Sequence, residues 1–262
     1  MSDLSGRTGE GHPRRHAVIT GAGQGIGAAI ARRLAGQGMR VTLMGRQLAP
    51  LAELASDLPD ARPVTVDVSD VDAVRDAFET AVSAHGPVDI LVSNAGQAGS
   101  SPFAQTSPDL WKRMLDVNLS GPFYCAQQVV PQMQSAGWGR IITIASTAGQ
   151  RGYPFVAGYV AAKHGVVGMT RSLALEVARQ GVTVNAVCPG YTETEMVQQG
   201  IADVVARTGR SEVEARATFE KFSPQQRLIQ PAEVAATVAW LCTEDARGIT
   251  GQCLAVSGGE VM

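Results

Sequence analysis

The sequence predicts an α/β fold: an open, doubly wound parallel sheet of about seven strands with helices on both faces. Three observations predict it. Short runs of Val, Ile and Leu alternate with longer helical patterns through most of the chain. The runs are near-continuous and do not alternate cleanly with polar residues, the mark of a sheet buried on both faces. A glycine-rich turn follows the first run and opens the first helix.

The expected strands are HAVIT (16–20), RVTLM (40–44), PVTV (63–66), DILVS (89–93), RIITIAS (140–146), VTVNAV (182–187) and QCLAV (252–256). Helical periodicity fills about 25–37, 47–57, 70–84, 108–135, 157–180 and 231–243. Three helix starts carry their own signals: Ser69 with Asp70, Ser107 with Pro108, and Pro231. Residues 190–230 are too polar and charged for the sheet and are expected to form one or two mobile helices near a ligand. No linker or repeat interrupts the pattern. A disordered tail over 1–15 therefore precedes a single domain over 16–262.

The 262 residues are 45% hydrophobic and 18% charged, with a formal net charge of −2. Such a chain buries a large core without a disulfide or a metal. Near-neutral charge argues against a nucleic-acid surface, which needs a clustered basic excess. No apolar run reaches the about 18 residues of a membrane helix. MSDLSGRTGEGHPRRH lacks the apolar segment of an export signal. Cys125, Cys188, Cys242 and Cys253 form no C-x-x-C pair and read as small apolar residues in a reducing compartment. No acidic or histidine pair has metal-ligand spacing. A cytoplasmic protein without a membrane, nucleic-acid or metal partner is expected.

VITGAGQGIGAAIARRLA (18–35) places glycines at 21, 25 and 27. The spacing is G-x-x-x-G-x-G and not the strict G-x-G-x-x-G, but the physics is shared. Glycines permit a tight turn and close approach of backbone to a pyrophosphate, and the helix N-terminus supplies amide donors and a positive dipole end. Gly21, Gln24, Gly25, Ile26 and Gly27 are therefore candidate cofactor contacts. Where an acid at the end of the second strand would bind the ribose of NAD, this chain has Gly45 and then Arg46. A guanidinium there is placed to grip a 2′-phosphate, which favours NADP(H), with NAD(H) as the alternative. Asp67, after the third strand, is placed for an adenine contact or for helix entry.

In YVAAK, Tyr159 and Lys163 stand at i and i+4 and share a helix face. A phenol with a pKa of about 10 is a poor base at neutral pH, and a neighbouring ammonium stabilises its phenolate. Such a pair can exchange a proton near working pH. Ser146 ends the strand RIITIAS, so its hydroxyl should face the same crevice and donate to a substrate carbonyl.

Together these residues resemble the classical short-chain dehydrogenases/reductases, over about 16 to 259. The resemblance is carried by TGAGQGIG (20–27), DV (67–68), NAG (94–96), Asn118 in DVNLSGPF, Ser146, YVAAK (159–163), VNAVCPG (184–190) and Thr192. It implies a Rossmann-like fold and a catalytic tetrad. Tyr159 is the implied acid/base. Lys163 would bind the nicotinamide ribose and lower the tyrosine's pKa, Ser146 would orient the carbonyl, and Asn118 would hold a relay water. Further implied cofactor contacts are Val68, Asn94, Ala95, Gly96, Pro189 and Gly190, with Thr192 near the carboxamide. A homotetramer or homodimer through the two long helices is implied as well. Ser93 and Ser257 stand where many members have Asn and Asp, and neither belongs to the tetrad.

The segment from Ile144 to Met196 resembles β-ketoacyl thioester reductases, including ketoreductases of aromatic polyketide synthesis. RSEVEARATFEKFSPQQRLIQPAEVA and SGGEVM resemble 3-hydroxyacyl-CoA dehydrogenases. 3-Hydroxybutyrate dehydrogenases, a partial resemblance, carry a lysine three residues before the tyrosine. Val156 stands there, and Arg151 is the one nearby cation, which disfavours a free hydroxy acid. Candidate substrate contacts are Ser146, Gln150, Tyr153, Tyr191 and Met196, with Gln97 and Pro154 beside them. Tyr153 and Tyr191 suit a flat or aromatic acyl group, or pack the loop. Arg207, Arg210, Arg216, Lys221 and Arg227 form either a basic edge that steers a CoA or carrier-protein phosphate or a solvated helix face.

The expected function is NAD(P)-dependent interconversion of a 3-oxoacyl and a 3-hydroxyacyl thioester by hydride transfer. The alternative is a ketoreductase acting on a cyclic or polyketide ketone. A non-catalytic dinucleotide-binding subunit is the more remote reading.

Overall fold

The computed structural model describes residues 14–262, so nearly all of the expected tail lies outside the described residues. In chain order the elements are β1 (His16–Thr20), α1 (Gly25–Gly36), β2 (Arg40–Gly45), α2 (Leu48–Ser56), β3 (Ala61–Thr65), α3 (Val71–His85) and β4 (Ile90–Ser93). They continue as α4 (Pro108–Leu115), a π turn (Asp116–Ser120), α5 (Gly121–Ala136), β5 (Gly139–Ile144), α6 (Ala157–Val177) and β6 (Val182–Pro189). The last are α7 (Glu195–Thr208), α8 (Glu212–Glu220), α9 (Pro231–Leu241) and β7 (Cys253–Val256).

The seven strands form one all-parallel sheet in the order β3-β2-β1-β4-β5-β6-β7. The chain works outward from β1 to β3, then returns to lay β4 against the other side of β1. That reversal opens a crevice at the carboxyl ends of β1 and β4, where such sheets bind ligands. Strand side chains alternate between two cores. Ala17 and Ile19 of β1 join Ile30 and Leu34 of α1 and Val234 and Val238 of α9. Val18 joins Val74 and Phe78 of α3, Val129 of α5 and Val177 of α6 on the opposite face.

Each helix start has a physical cause. Asp70, not Ser69, caps α3, its Oδ1 accepting from the amides of Asp72 and Ala73 at 3.0 and 3.1 Å. Ser107 caps α4 through the Leu110 amide at 3.1 Å, with Pro108 in the first turn. Pro231 opens α9. The polar stretch 190–230 contains two helices, α7 and α8.

Three expectations are corrected. The single helix over 108–135 is two, because the π turn separates α4 from α5, the Gly121 amide bonding back to the Asp116 carbonyl. Pro122 enforces the break: it has no N–H to offer the carbonyl of Asn118 four residues earlier. β3 begins at Ala61, two residues before the expected start, and as an edge strand it tolerates Pro63. β5 ends at Ile144, after which Ser146 leaves the ladder to open a short 3-10 turn over Thr147–Gly149.

Candidate active site

The glycine turn after β1 is forced by contact as well as by torsion. Gly21 and Gly25 take φ of 63° and 53°, where a side chain is strained. A methyl group on Gly27 would lie 2.1 Å from the Gly21 carbonyl oxygen. Asn94 locks the turn to β4, its side-chain amide donating to the carbonyls of Thr20 and Gly21, both at 3.0 Å. Thr20 completes the lock by accepting from the amides of Asn94 and Ala95, each at 3.0 Å.

No side chain caps α1, whose N-cap is Gln24, and its first turn holds no acid. The amides around Ile26 and the positive helix end are thus left for an anion. Arg46, at the end of β2, is exposed and has no hydrogen-bond or carboxylate partner among the described residues. Asp67 accepts from the hydroxyl and amide of Ser69 at 2.6 and 3.0 Å, contacts that hold its carboxyl below the usual range, with a smaller contribution from Arg46. It therefore serves helix entry while its carboxylate stays exposed. Val68 is buried against Gly121. This cradle, open to an anion and flanked by an unpaired guanidinium, fits a phosphorylated dinucleotide.

The four tetrad candidates converge beside it. Lys163 is 4% exposed, and its ammonium donates to the Ile144 carbonyl at 2.8 Å. Two of its three N–H donors remain for a ligand. Burial lowers its pKa to about 8. Its Nζ stands 5.6 Å from the centroid of the half-buried Tyr159 ring. Gly96 leaves room for this group: a methyl there would lie 3.0 Å from Asn118 Oδ1 and 3.8 Å from Lys163 Nζ.

Ser146 Oγ accepts from the Ala148 amide at 3.1 Å, and its own proton is directed to the Tyr159 phenol. Asn118 is fully buried on the π turn, a feature that recurs at functional sites. Its side chain accepts from the Gln97 amide at 3.1 Å and donates to the carbonyls of Gln97 and Met114 at 3.0 Å.

Burial acts on the Tyr159 phenol against the expected lowering. The Tyr159 phenol lies above its ordinary pKa, because burial dominates and the Ser146 hydrogen bond only opposes it.

On the substrate side, the rings of Tyr153, Tyr191, Phe219 and Phe222 form a wall with neighbouring centroids 5.1 to 6.4 Å apart. The Tyr153 hydroxyl lies 2.8 Å from Thr147 Oγ1 and donates to the Glu260 carboxylate. Pro189 ends β6, and the Gly190 amide bonds the Val256 carbonyl at 3.1 Å. Thr192 is buried, its hydroxyl donating to the Gly190 carbonyl at 3.0 Å. Met196 stands exposed in the first turn of α7. Gln150 is drawn aside, its amide donating to the Cys253 carbonyl at 3.2 Å at the start of β7. Pro154 is exposed.

The basic edge expected over 190–230 is smaller than its sequence suggests. Arg216 is paired with Glu193 and Glu220, and Arg227 with Glu233. Only Arg207, Arg210 and Lys221 lack a carboxylate partner among the described residues.

Sequence reasoning missed Thr20, Thr147, Phe219, Phe222 and Glu260. One signal could have found Glu260: β7 was expected as a parallel strand, so the residues after it had to emerge at the carboxyl-end crevice. Among the described residues there is no group of three or more His, Cys, Asp or Glu placed to hold a metal. No helix among them is long and apolar enough to cross a membrane.

Known proteins share this arrangement. The short chain dehydrogenase family matches residues 15–204. A Streptomyces coelicolor protein named "Putative ketoacyl reductase" is 41% identical over 255 residues, spanning 93% of this chain and 95% of its own length. The 3-oxoacyl-[acyl-carrier-protein] reductase of Synechocystis is 37% identical over 94% of this chain and 96% of its own. The crystal structure of a single-substitution variant of actinorhodin polyketide ketoreductase with NADPH superposes with a TM-score of 0.91 at 40% identity, covering 94% of this chain and 97% of that one. The chain belongs to the short-chain dehydrogenase/reductase family and is an NAD(P)-dependent oxidoreductase of oxo and hydroxy groups whose active site contains a catalytic tyrosine.

Proposed function

We propose that the protein is an NADP(H)-dependent ketoreductase whose substrate carries its carbonyl on a cyclic or polyketide chain. The observation that carries this reading is the aromatic wall of Tyr153, Tyr191, Phe219 and Phe222 beside Ser146 and Tyr159. Rings in edge and tilted arrangements suit a flat, partly unsaturated substrate. The similarity to ketoacyl and polyketide ketoreductases supports the same reading.

Interconversion of a 3-oxoacyl thioester is the second reading, favoured by the similarity to the carrier-protein reductase. It loses part of its argument because Arg216 and Arg227 are already paired and cannot both steer a phosphate. NADP(H) is preferred because Arg46 is unpaired among the described residues, and the polyketide ketoreductase was solved with NADPH.

When bound, the reduced cofactor supplies hydride. Ser146 donates to the carbonyl oxygen, and Tyr159 delivers the proton. A phenol held above its ordinary pKa is protonated at neutral pH, which suits reduction. Lys163 presents its two remaining donors to the ribose. Asn118 fixes Gln97 and Met114 with its side chain, and its backbone carbonyl, to which Pro122 offers no donor, accepts from a water that reprotonates the phenol. Gly21, Gln24, Gly25, Ile26 and Gly27 cradle the pyrophosphate.

Helices α7 and α8 cover the substrate side. Trp111, Phe123 and Leu175, exposed on α4, α5 and α6, supply the apolar face of a homotetramer or homodimer. The compartment is the cytoplasm.

The test is an absorbance assay of NADPH and NADH oxidation in parallel, with trans-1-decalone and acetoacetyl-CoA. Faster NADPH oxidation with the bicyclic ketone supports the proposal. Turnover of the CoA ester alone moves the protein to the thioester reductases.

A further inference from the structure

Glu260 has no role in the chemistry above, yet it reaches the same site. It follows β7 by a turn in which Gly258 and Gly259 take φ of 62° and 93°. That turn packs on Ser223, Pro224 and Gln225, beyond the end of α8. It carries the Glu260 carboxyl back to Tyr153, whose hydroxyl donates to Oε1, and to Thr147, the residue after Ser146. Oε2 lies against Gly190, where a methyl group would come within 2.9 Å of it.

The group is half-buried and forms no ion pair among the described residues. Arg151, whose charge acts on the carboxyl, sits over the Tyr153 ring at 5.1 Å from its centroid. Burial raises the carboxyl's pKa, and the Tyr153 hydrogen bond opposes that shift. A half-buried acid without an ion-pair partner is costly, even with Arg151 acting on it from a distance, and it stabilises no helix end here. An ionised carboxylate only accepts hydrogen bonds, and beyond Tyr153 and Thr147 no side chain among the described residues donates to it. Its complement is a donor on the ligand.

We infer that Glu260, held by Tyr153, is a specificity-determining residue: it accepts a hydrogen bond from a hydroxyl on the substrate and turns away substrates bearing a free carboxylate. The inference rests on the ketoreductase reading for its hydroxylated ring substrate. The absence of a lysine at Val156 and the presence of this acid act in the same direction, against a small hydroxy acid.

The test compares wild type, Glu260→Leu and Glu260→Gln, with NADPH, on 1-tetralone, its ring-hydroxylated derivatives, acetoacetyl-CoA and acetoacetate. Wild type should prefer at least one hydroxytetralone over 1-tetralone by about tenfold in kcat/KM, the size of one hydrogen bond to a charged acceptor. Glu260→Leu should collapse that ratio, mainly through KM. Glu260→Gln should keep most of it, since the amide oxygen still accepts. Both variants should raise turnover of acetoacetate relative to acetoacetyl-CoA.

A wild type without the preference, or a preference that survives in Glu260→Leu, overturns the inference. If wild type reduces the CoA ester but neither 1-tetralone nor its derivatives, the ketoreductase reading fails. The acetoacetate ratio then judges Glu260 separately, and no change in either variant rejects its role.

Discussion

Lys163 reaches from α6 to donate to the carbonyl of Ile144, 2.8 Å away, and so fixes the catalytic helix to the last residue of β5. The bond is made deep in the protein, where burial lowers the ammonium's pKa to about 8. The ammonium therefore loses its proton as pH rises through that value. Reduction measured as kcat/KM should fall above about pH 8 with a single ionisation. Lys163→Met should cost about 100-fold or more and abolish that limb. A wild-type profile flat into the strongly alkaline range would remove Lys163 from this role.

Tyr159→Phe deletes the proton donor and leaves the ring in place. Turnover should drop by about 100- to 10,000-fold, the usual contribution of a positioned acid. NADPH binding, followed by fluorescence titration, should be nearly unchanged. Retention of a tenth of the activity would assign the proton to another group.

Arg46 projects from the end of β2 and has no hydrogen-bond or carboxylate partner among the described residues. Arg46→Ala should weaken NADPH binding by about tenfold, the value of one charge-assisted contact, and leave NADH little changed. The check is the ratio of the two dissociation constants for wild type and variant. Equal losses for both cofactors would place Arg46 away from the 2′-phosphate.

Stability should depend on His16. Its Nδ1 and Nε2 lie 2.9 Å from the Gly86 carbonyl and Thr42 Oγ1, and burial is the main cause of a pKa lowered to about 4. A histidine held neutral in the fold contributes nothing adverse above its unfolded pKa of about 6.5. As pH falls from there to about 4 the unfolded chain binds the extra proton, so stability declines by about 3 kcal/mol across that window. Urea midpoints at neutral and acid pH measure the loss. His16→Gln, which keeps a donor and an acceptor but cannot take the proton, should flatten the dependence.

Much of the fold was legible because its signals are local. β1, β4 and β6 are runs of apolar residues, and α3, α4 and α9 announce themselves with Asp70, Ser107 and Pro231. The tetrad candidates were legible for the same reason, since Tyr159 and Lys163 share one helix. What the sequence hid depends on contacts between distant segments. Nothing local says that Arg216 is neutralised by Glu193, 23 residues earlier. Nor does anything local bring Glu260 to Tyr153, 107 residues away. The break at Asp116–Ser120 was hidden for a different reason: a π turn keeps helical composition, and only Pro122 betrays it.

That π turn also sets the phase of everything after it. One extra residue in a helix rotates the following segment by about 100°. Deleting a single residue between 116 and 120 would remove the extra residue and swing Val129 and Met133, both buried, toward solvent. Length in this segment is therefore as constrained as chemistry. Substitutions along α4 and α5 can accumulate, whereas one lost codon would unseat a whole face of the core together with the asparagine that the turn displays.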